Sequence, residues 1–238
     1  GFDSLGVVKI SRAAADQRAG RAGRTGPGRC VRLWSKSDHR NRKEFETPEV
    51  RRVDLAEAIL FLKRLGVNEI TGFRWLDQPE NERRLDAEKL LTSLGALDSG
   101  GRLMEVGKKM AALPLHPRLA ALVLQGGDCL GEVLFVAAAV QGEGVFKRAG
   151  RGQKWAEFLE GEPGWGNDFG AEWLAMMAAK NLDFRPRECD GLGVLARGAR
   201  ETWKNFQQLG RLLKKRGGRI KEPDFRQRGD ACARAMLI

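Results

Sequence analysis

The chain has 238 residues, 42% of them hydrophobic, and carries 42 Lys and Arg against 31 Asp and Glu, a net charge of +11. That is enough for one large domain or two to three small ones with a real core. The basic excess points to a polyanionic partner, nucleic acid first, with a basic protein that has no such partner as the alternative.

Other classes are excluded on composition. Cys30, Cys129, Cys189 and Cys232 stand far apart with no CxxC pair and no His cluster, which argues against zinc and fits reduced core thiols in the cytoplasm. The longest apolar run, residues 133–140, is far too short to span a bilayer, so no membrane partner is expected. No signal peptide is visible, and Gly1 in place of a methionine leads us to expect residues upstream.

Residues 1–46 read as α/β. Val7-Val8-Lys9-Ile10 is a strand candidate, Ser11 can cap an Ala- and Arg-rich helix over about 12–24, and Gly26-Pro27-Gly28 ends it as a turn. Residues 30–34 follow as a second short strand. Residues 47–114 change character. Asp54 and Glu57 resemble a capping box at the head of a helix over 55–65, whose apolar positions 55, 58, 59, 62 and 65 form one stripe. Gly66 sits where a C-terminal cap belongs, and Gly95 does the same for a helix over about 84–94. Residues 96–98 and 102–104 flank Ser99-Gly100-Gly101 as a small hairpin. A helix over 105–113 then stops at Pro114. Helices followed by a hairpin suggest a winged helix, the alternative being an unspecific helical linker domain.

Residues 115–216 read as mostly helical. Pro117 starts a helix through Leu124. Residues 130–140 are apolar nearly all round, as expected of a central buried helix. Residues 141–167 read mostly as loop, and Asp168 can cap a helix to about Asn181. A long amphipathic helix is expected over 190–216, with apolar positions 192, 195, 199, 203, 206, 209 and 213. The tail from Gly217 shows no clear pattern.

The most informative segment is Gln17-Arg18-Ala19-Gly20-Arg21-Ala22-Gly23-Arg24. On a helix, positions 21 and 24 both fall within roughly 40° of position 17. One face thus presents an amide and two guanidiniums, with Ala and Gly keeping the surface low between them. Guanidinium forks suit phosphate oxygens. The alternative is a solvated basic helix or an arginine patch for RNA. Each glycine inside a helix costs about 1 kcal/mol relative to Ala, so something should compensate.

This segment resembles motif VI of superfamily 2 helicases, in the Gln-Arg form of the DEAH-box/RHA branch. The resemblance continues through Thr47-Pro48-Glu49-Val50-Arg51-Arg52, Phe73-Arg74-Trp75-Leu76-Asp77-Gln78-Pro79, Leu94-Gly95-Ala96-Leu97-Asp98, Gly107, and Leu113-Pro114-Leu115-His116-Pro117-Arg118-Leu119-Ala120. It is close to about residue 125 and looser to about 215. Within the family the bacterial HrpA and HrpB types look nearest. The resemblance implies a mainly α chain with an α/β N-terminal part. The end of a second RecA-like domain would occupy 1–46, a winged helix 47–114 and a ratchet-like helical bundle 115–238.

The resemblance also implies roles. Arg21 and Arg24 would be arginine fingers on the ATP γ-phosphate, and Gln17 would lie near that phosphate and the attacking water. The chain has no P-loop: Gly107-Lys108 is followed by Lys109, and Arg102 stands where the first glycine belongs. It has no Asp-Glu pair to hold Mg²⁺. The expectation is therefore the C-terminal portion of a cytoplasmic ATP-dependent RNA helicase. The P-loop and Mg²⁺ ligands would lie on an upstream domain, and this portion alone would be inactive.

On the long helix, Arg197, Arg200, Lys204, Gln208, Arg211 and Lys215 recur opposite the apolar stripe. Arg197, Arg200, Lys204 and Arg211 are candidates to track the backbone of single-stranded RNA, with DNA an open alternative. The competing reading is an ordinary solvated face. His39 and His116 have no evident partners, and His116 reads as structural. The six Trp and eleven Phe show no interleaving with basic residues, so no stacking platform is visible. The competing function is a non-enzymatic winged-helix nucleic-acid binder.

Overall fold

The computed structural model describes residues 8–146, 168–215 and 217–235. Among them the chain is mainly α. The only β pairing among the described residues is two isolated antiparallel bridges, Leu97 with Leu103 and Phe146 with Val194. The described residues group into two compact units, one of 8–55 with 71–87, the other of 56–70 with 88–235.

In the first unit, α1 (Arg12–Gly20) begins where the sequence places it. Ser11 caps it, its hydroxyl accepting from the Ala14 N–H at 3.1 Å. A helix start leaves four N–H groups without helical partners. Here the segment after α2 (Lys36–Arg40) satisfies the neighbouring donors. The Ser11 N–H donates to Glu46 at 2.7 Å, that of Arg12 to the Lys43 carbonyl at 2.8 Å, and that of Ala13 to the Glu44 carbonyl at 3.0 Å. The expected strands do not form. Residues 8–10 and 30–34 are irregular, and Val7 lies outside the described residues. A strand is stable only in a ladder, and no segment among the described residues pairs with either. Val8, Val31 and Leu33 stand 77%, 80% and 91% exposed.

The second unit starts with α3 (Ala56–Arg64), closed by Gly66 in the left-handed region at φ 91°. α4 (Asn81–Ser93), whose residues from Glu88 on belong here, is followed by the hairpin and α5 (Glu105–Met110). The hairpin is held by Asp98, whose carboxylate accepts from the Gly100 and Arg102 N–H groups at 2.9 and 2.8 Å. α5 sits directly on it. A Cβ at Gly107 would lie 2.3 Å from the Ala96 carbonyl oxygen, so only glycine fits. The helix ends at Met110, earlier than expected from Pro114. The residue before a proline is pushed out of the helical region, and the last turn before it loosens.

α6 (Pro117–Leu124) has the expected bounds, with the His116 ring capping it by accepting from the Arg118 N–H. α7 (Leu130–Gln141) is the central helix: residues 131–139 are all buried. α8 (Asp168–Asn181), the short α9 (Pro186–Gly191), α10 (Ala196–Lys214) and α11 (Phe225–Ala235) complete the bundle, with α10 packed along α7 and α8. The helix expected over 190–216 is thus two helices. Gly193 takes φ 69° between them and Val194 makes its bridge there. Of the loop expected over 141–167, residues 147–167 lie outside the described residues.

The core of this unit is aromatic. The Phe135 ring meets those of Trp173, Phe225 and Phe206 edge-on at 5.1, 5.8 and 6.4 Å. α11, where the sequence has no pattern, is fastened there by Phe225, 1% exposed. A buried carboxylate fastens it too. Glu132 accepts from the Asp224 N–H at 2.6 Å and from Arg228 Nε at 2.7 Å. Cys129, Cys189 and Cys232 are buried and form no disulfide, and burial pushes the Cys232 thiol up to about 12. No single helix among the described residues is long and apolar enough to cross a membrane.

Candidate functional site

α1 buries Ala15 and turns Gln17 and Arg18 outward. After Gly20 the backbone tightens into a 3₁₀ turn over Arg21–Gly23, where a regular helix to about 24 was expected. The change preserves the face. Gln17 and Arg21 are four residues apart, one above the other across the end of an α-helix. Residues three apart eclipse in a 3₁₀ turn, which stacks Arg24 over Arg21. All three are exposed and have no partner among the described residues.

The glycines between them account for the low surface. A Cβ at Gly20 or Gly23 would meet nothing within 4 Å, so packing in this chain does not require glycine there. At Gly28, by contrast, a Cβ would lie 1.9 Å from the Ala22 carbonyl oxygen. The turn through Pro27 therefore lays the following chain on the 3₁₀ segment and fixes its end. Two guanidinium forks and an amide over open backbone can donate hydrogen bonds to an oxyanion. Among the described residues no group of His, Cys, Asp and Glu could hold a metal ion.

Polar contacts brace this unit. Arg32 pairs with Asp16 of α1 and reaches His39 Nε2 at 3.1 Å. Asp38 takes Lys9 and Arg42, each at 2.7 Å, and Arg42 lies 4.2 Å over the Trp34 ring. Hydrogen bonds from Lys9 and then Arg42 hold the Asp38 carboxyl below its ordinary value. The Ser11 N–H does the same for Glu46.

The basic stripe on α10 divides. Arg197, Arg200 and Lys204 line a cavity of about 370 Å³ together with Phe184, Pro186, Ala196 and Glu201. Arg211 lies outside it, about 10.5 Å further along the helix axis, its Nε on the Gln207 carbonyl at 3.3 Å. Arg197 is exposed and pairs with Glu143 at 3.0 Å. Lys204 is exposed without a partner among the described residues. Arg200 is committed locally. It donates to the Asp183 and Phe184 carbonyls at 3.3 Å and lies 5.6 Å over the Phe184 ring. Those two residues take φ 52° and 54°, a conformation unusual for residues with side chains. Arg200 therefore clamps a tight turn as well as facing the cavity. The sequence reading missed Phe184 and Glu201. A left-handed pair at 183–184 has no composition signal, and Glu201 looks like any helix-surface carboxylate.

Residues 87–115, covering the hairpin and α5, match the helicase-associated domain (HA2), winged-helix family. The chain is also 38% identical over 160 residues to the pre-mRNA-splicing factor ATP-dependent RNA helicase prp22 of Schizosaccharomyces pombe. The match covers 66% of this chain and 14% of that relative's length.

Proposed function

This chain belongs with the DEAH/RHA-type RNA helicases, and on that premise we propose that it supplies half of a composite ATP site and a surface for single-stranded RNA. Arg21 and Arg24 act as arginine fingers on the γ-phosphate, and Gln17 orients the attacking water. The observation that carries this reading is the shared, unpaired face of those three side chains over two glycines that no packing here demands. ATP and Mg²⁺ are held otherwise by residues outside this sequence, and a bound nucleotide supplies the phosphoryl chemistry. An arginine finger neutralises charge on the transferring group, worth about 10³–10⁵ in rate. Residues 1–46 serve the ATP site, 47–114 form the winged helix, and 115–238 carry the RNA surface. Buried cysteines outside any disulfide fit a cytoplasmic protein.

On the RNA side, Arg197, Lys204 and Arg211 offer phosphate contacts along α10, with Arg200 fixed between the first two. Fluorescence anisotropy with single-stranded RNA over a salt series tests this. Each phosphate contact adds a slope of about −0.7 in log affinity against log salt. Changing Lys204 and Arg211 to Ala should flatten it by about 1.4, for all sequences alike and with folding intact. An unchanged slope would return the stripe to a solvated helix face. ATP-dependent phosphate release by this chain alone would contradict the half-site.

A further inference from the structure

We propose that the cavity beside α10 is a base-reading pocket that receives one nucleotide of the bound strand and prefers guanine, with Glu201 the specificity-determining residue. The inference rests on the RNA-binding reading of α10 and adds to it a chemical preference that phosphate contacts alone cannot give.

The lining pairs the groups that a nucleotide needs. Phe184 and the Arg200 guanidinium are planar groups, and the two carbonyls that Arg200 grips hold them in a fixed relation. Any base stacks on such surfaces. Arg197 and Lys204 lie seven residues apart on α10, about 10.5 Å along its axis, and both line the cavity, where they can offer cations to the flanking phosphates, Arg197 by leaving its exposed pair with Glu143.

Between those cations sits Glu201, a carboxylate in a pocket otherwise suited to a polyanion. It is half-buried and has no hydrogen bond or ion pair among the described residues, although Lys204 stands three residues away on the same helix without a partner there, Arg197 being engaged by Glu143 at 3.0 Å. A carboxylate that only balanced charge would close on Lys204, as Glu105 does on Lys108 at the same three-residue spacing in α5, at 2.5 Å. Left open, its two oxygens accept from paired donors.

Only one base presents such a pair. The Watson–Crick edge of guanine places its N1–H and 2-amino group side by side, and both can donate to one carboxylate. Adenine and cytosine each offer an amino group next to a ring-nitrogen acceptor, which would face the second oxygen and repel it. Uracil offers a single N–H between two acceptors. Stacking admits every base, and Glu201 then favours guanine.

The test is fluorescence anisotropy of the full chain with three labelled single-stranded RNAs: all uridine, the same strand with guanosine at every third position, and that strand with inosine for guanosine. A bidentate contact in an open pocket predicts about five- to tenfold tighter binding of the guanosine strand. Inosine lacks the 2-amino group and should lose about half of that gain on a logarithmic scale. Glu201→Gln keeps the shape of the side chain and should equalise the guanosine and uridine strands, both gaining alike from the loss of one negative charge. Equal affinity of all three strands for the wild type, or a guanosine preference that survives Glu201→Gln, overturns the inference while leaving RNA binding intact. Failure of every strand to bind overturns the RNA-binding reading itself, and this inference with it.

Discussion

The two units of this chain are built on different physics. In residues 56–70 with 88–235, the apolar side chains close around α7 and most large ones among the described residues are buried or half-buried, Phe61, Leu65, Met104 and Val106 excepted. In residues 8–55 with 71–87, only Ala15, Leu55 and Ala87 among the apolar residues are buried, while Val8, Val31, Leu33, Phe45 and Leu76 face outward. That unit holds its shape by capping bonds, by ion pairs on Asp16 and Asp38, and by the Ser11 N–H on the Glu46 carboxylate. A region whose side chains are spent on its surface is free to present Gln17, Arg21 and Arg24. A region spent on its core gives a rigid frame on which α10 can present a stripe.

This contrast can be broken most severely in the core. Arg228→Ala leaves Glu132, 0% exposed, as an uncompensated buried charge. Removing one member of such a pair costs about 3–5 kcal/mol. Chemical denaturation should register a loss of that size, and a loss below about 1 kcal/mol would mean the pair behaves like a surface one. Next is Gly107→Ala. The new methyl must displace the Ala96 backbone, and overpacking of this kind costs about 1–3 kcal/mol. Gly20→Ala is the matched control in the first unit, where the space is open. It should leave the melting temperature unchanged or slightly raised, while impairing ATP turnover in the whole helicase if a ligand needs that space.

The smallest effect is on pH. The carboxyls of Asp38 and Glu46 are held below their ordinary values of 3.8 and 4.5. A depressed carboxyl stabilises the fold above its unfolded value, and the contribution fades as pH falls through the folded one. Hydrogen-exchange protection of α1 should therefore be flat above the range of those ordinary values and decline below it, before that of α7 does. Simultaneous loss in both helices would erase the distinction between the units.

The same contrast explains what the sequence made legible. α7 could be read because an all-round apolar helix has one place to go. α1, α3 and α6 could be read because Ser11, Gly66 and Pro117 are local signals at their ends. The split between α9 and α10 was missed because Leu192 and Leu195 continue the helical stripe across it, while the break depends on the left-handed Gly193 and on Val194 pairing with Phe146. α11 was missed because its anchors are remote, Arg228 reaching Glu132 across 96 positions. The expected strands failed for the converse reason. Val8 and Val31 have the right side chains, but a ladder needs neighbours that composition does not supply. In the candidate sites, the face at 17–24 was visible as spacing. The cavity beside α10 was not, since Phe184 joins it only through a turn that Arg200 clamps.

The claim that Arg21 and Arg24 complete an ATP site is tested most directly in the whole helicase, by steady-state ATP turnover of Arg21→Ala and Arg24→Ala measured beside RNA affinity and melting temperature. Each variant should lose about 10³-fold or more in turnover, with RNA affinity and melting temperature near wild type, because neither side chain has a partner among the described residues. A variant that turns over ATP at a near wild-type rate, or that loses RNA affinity in step with turnover, would contradict the assignment and give that arginine to the RNA.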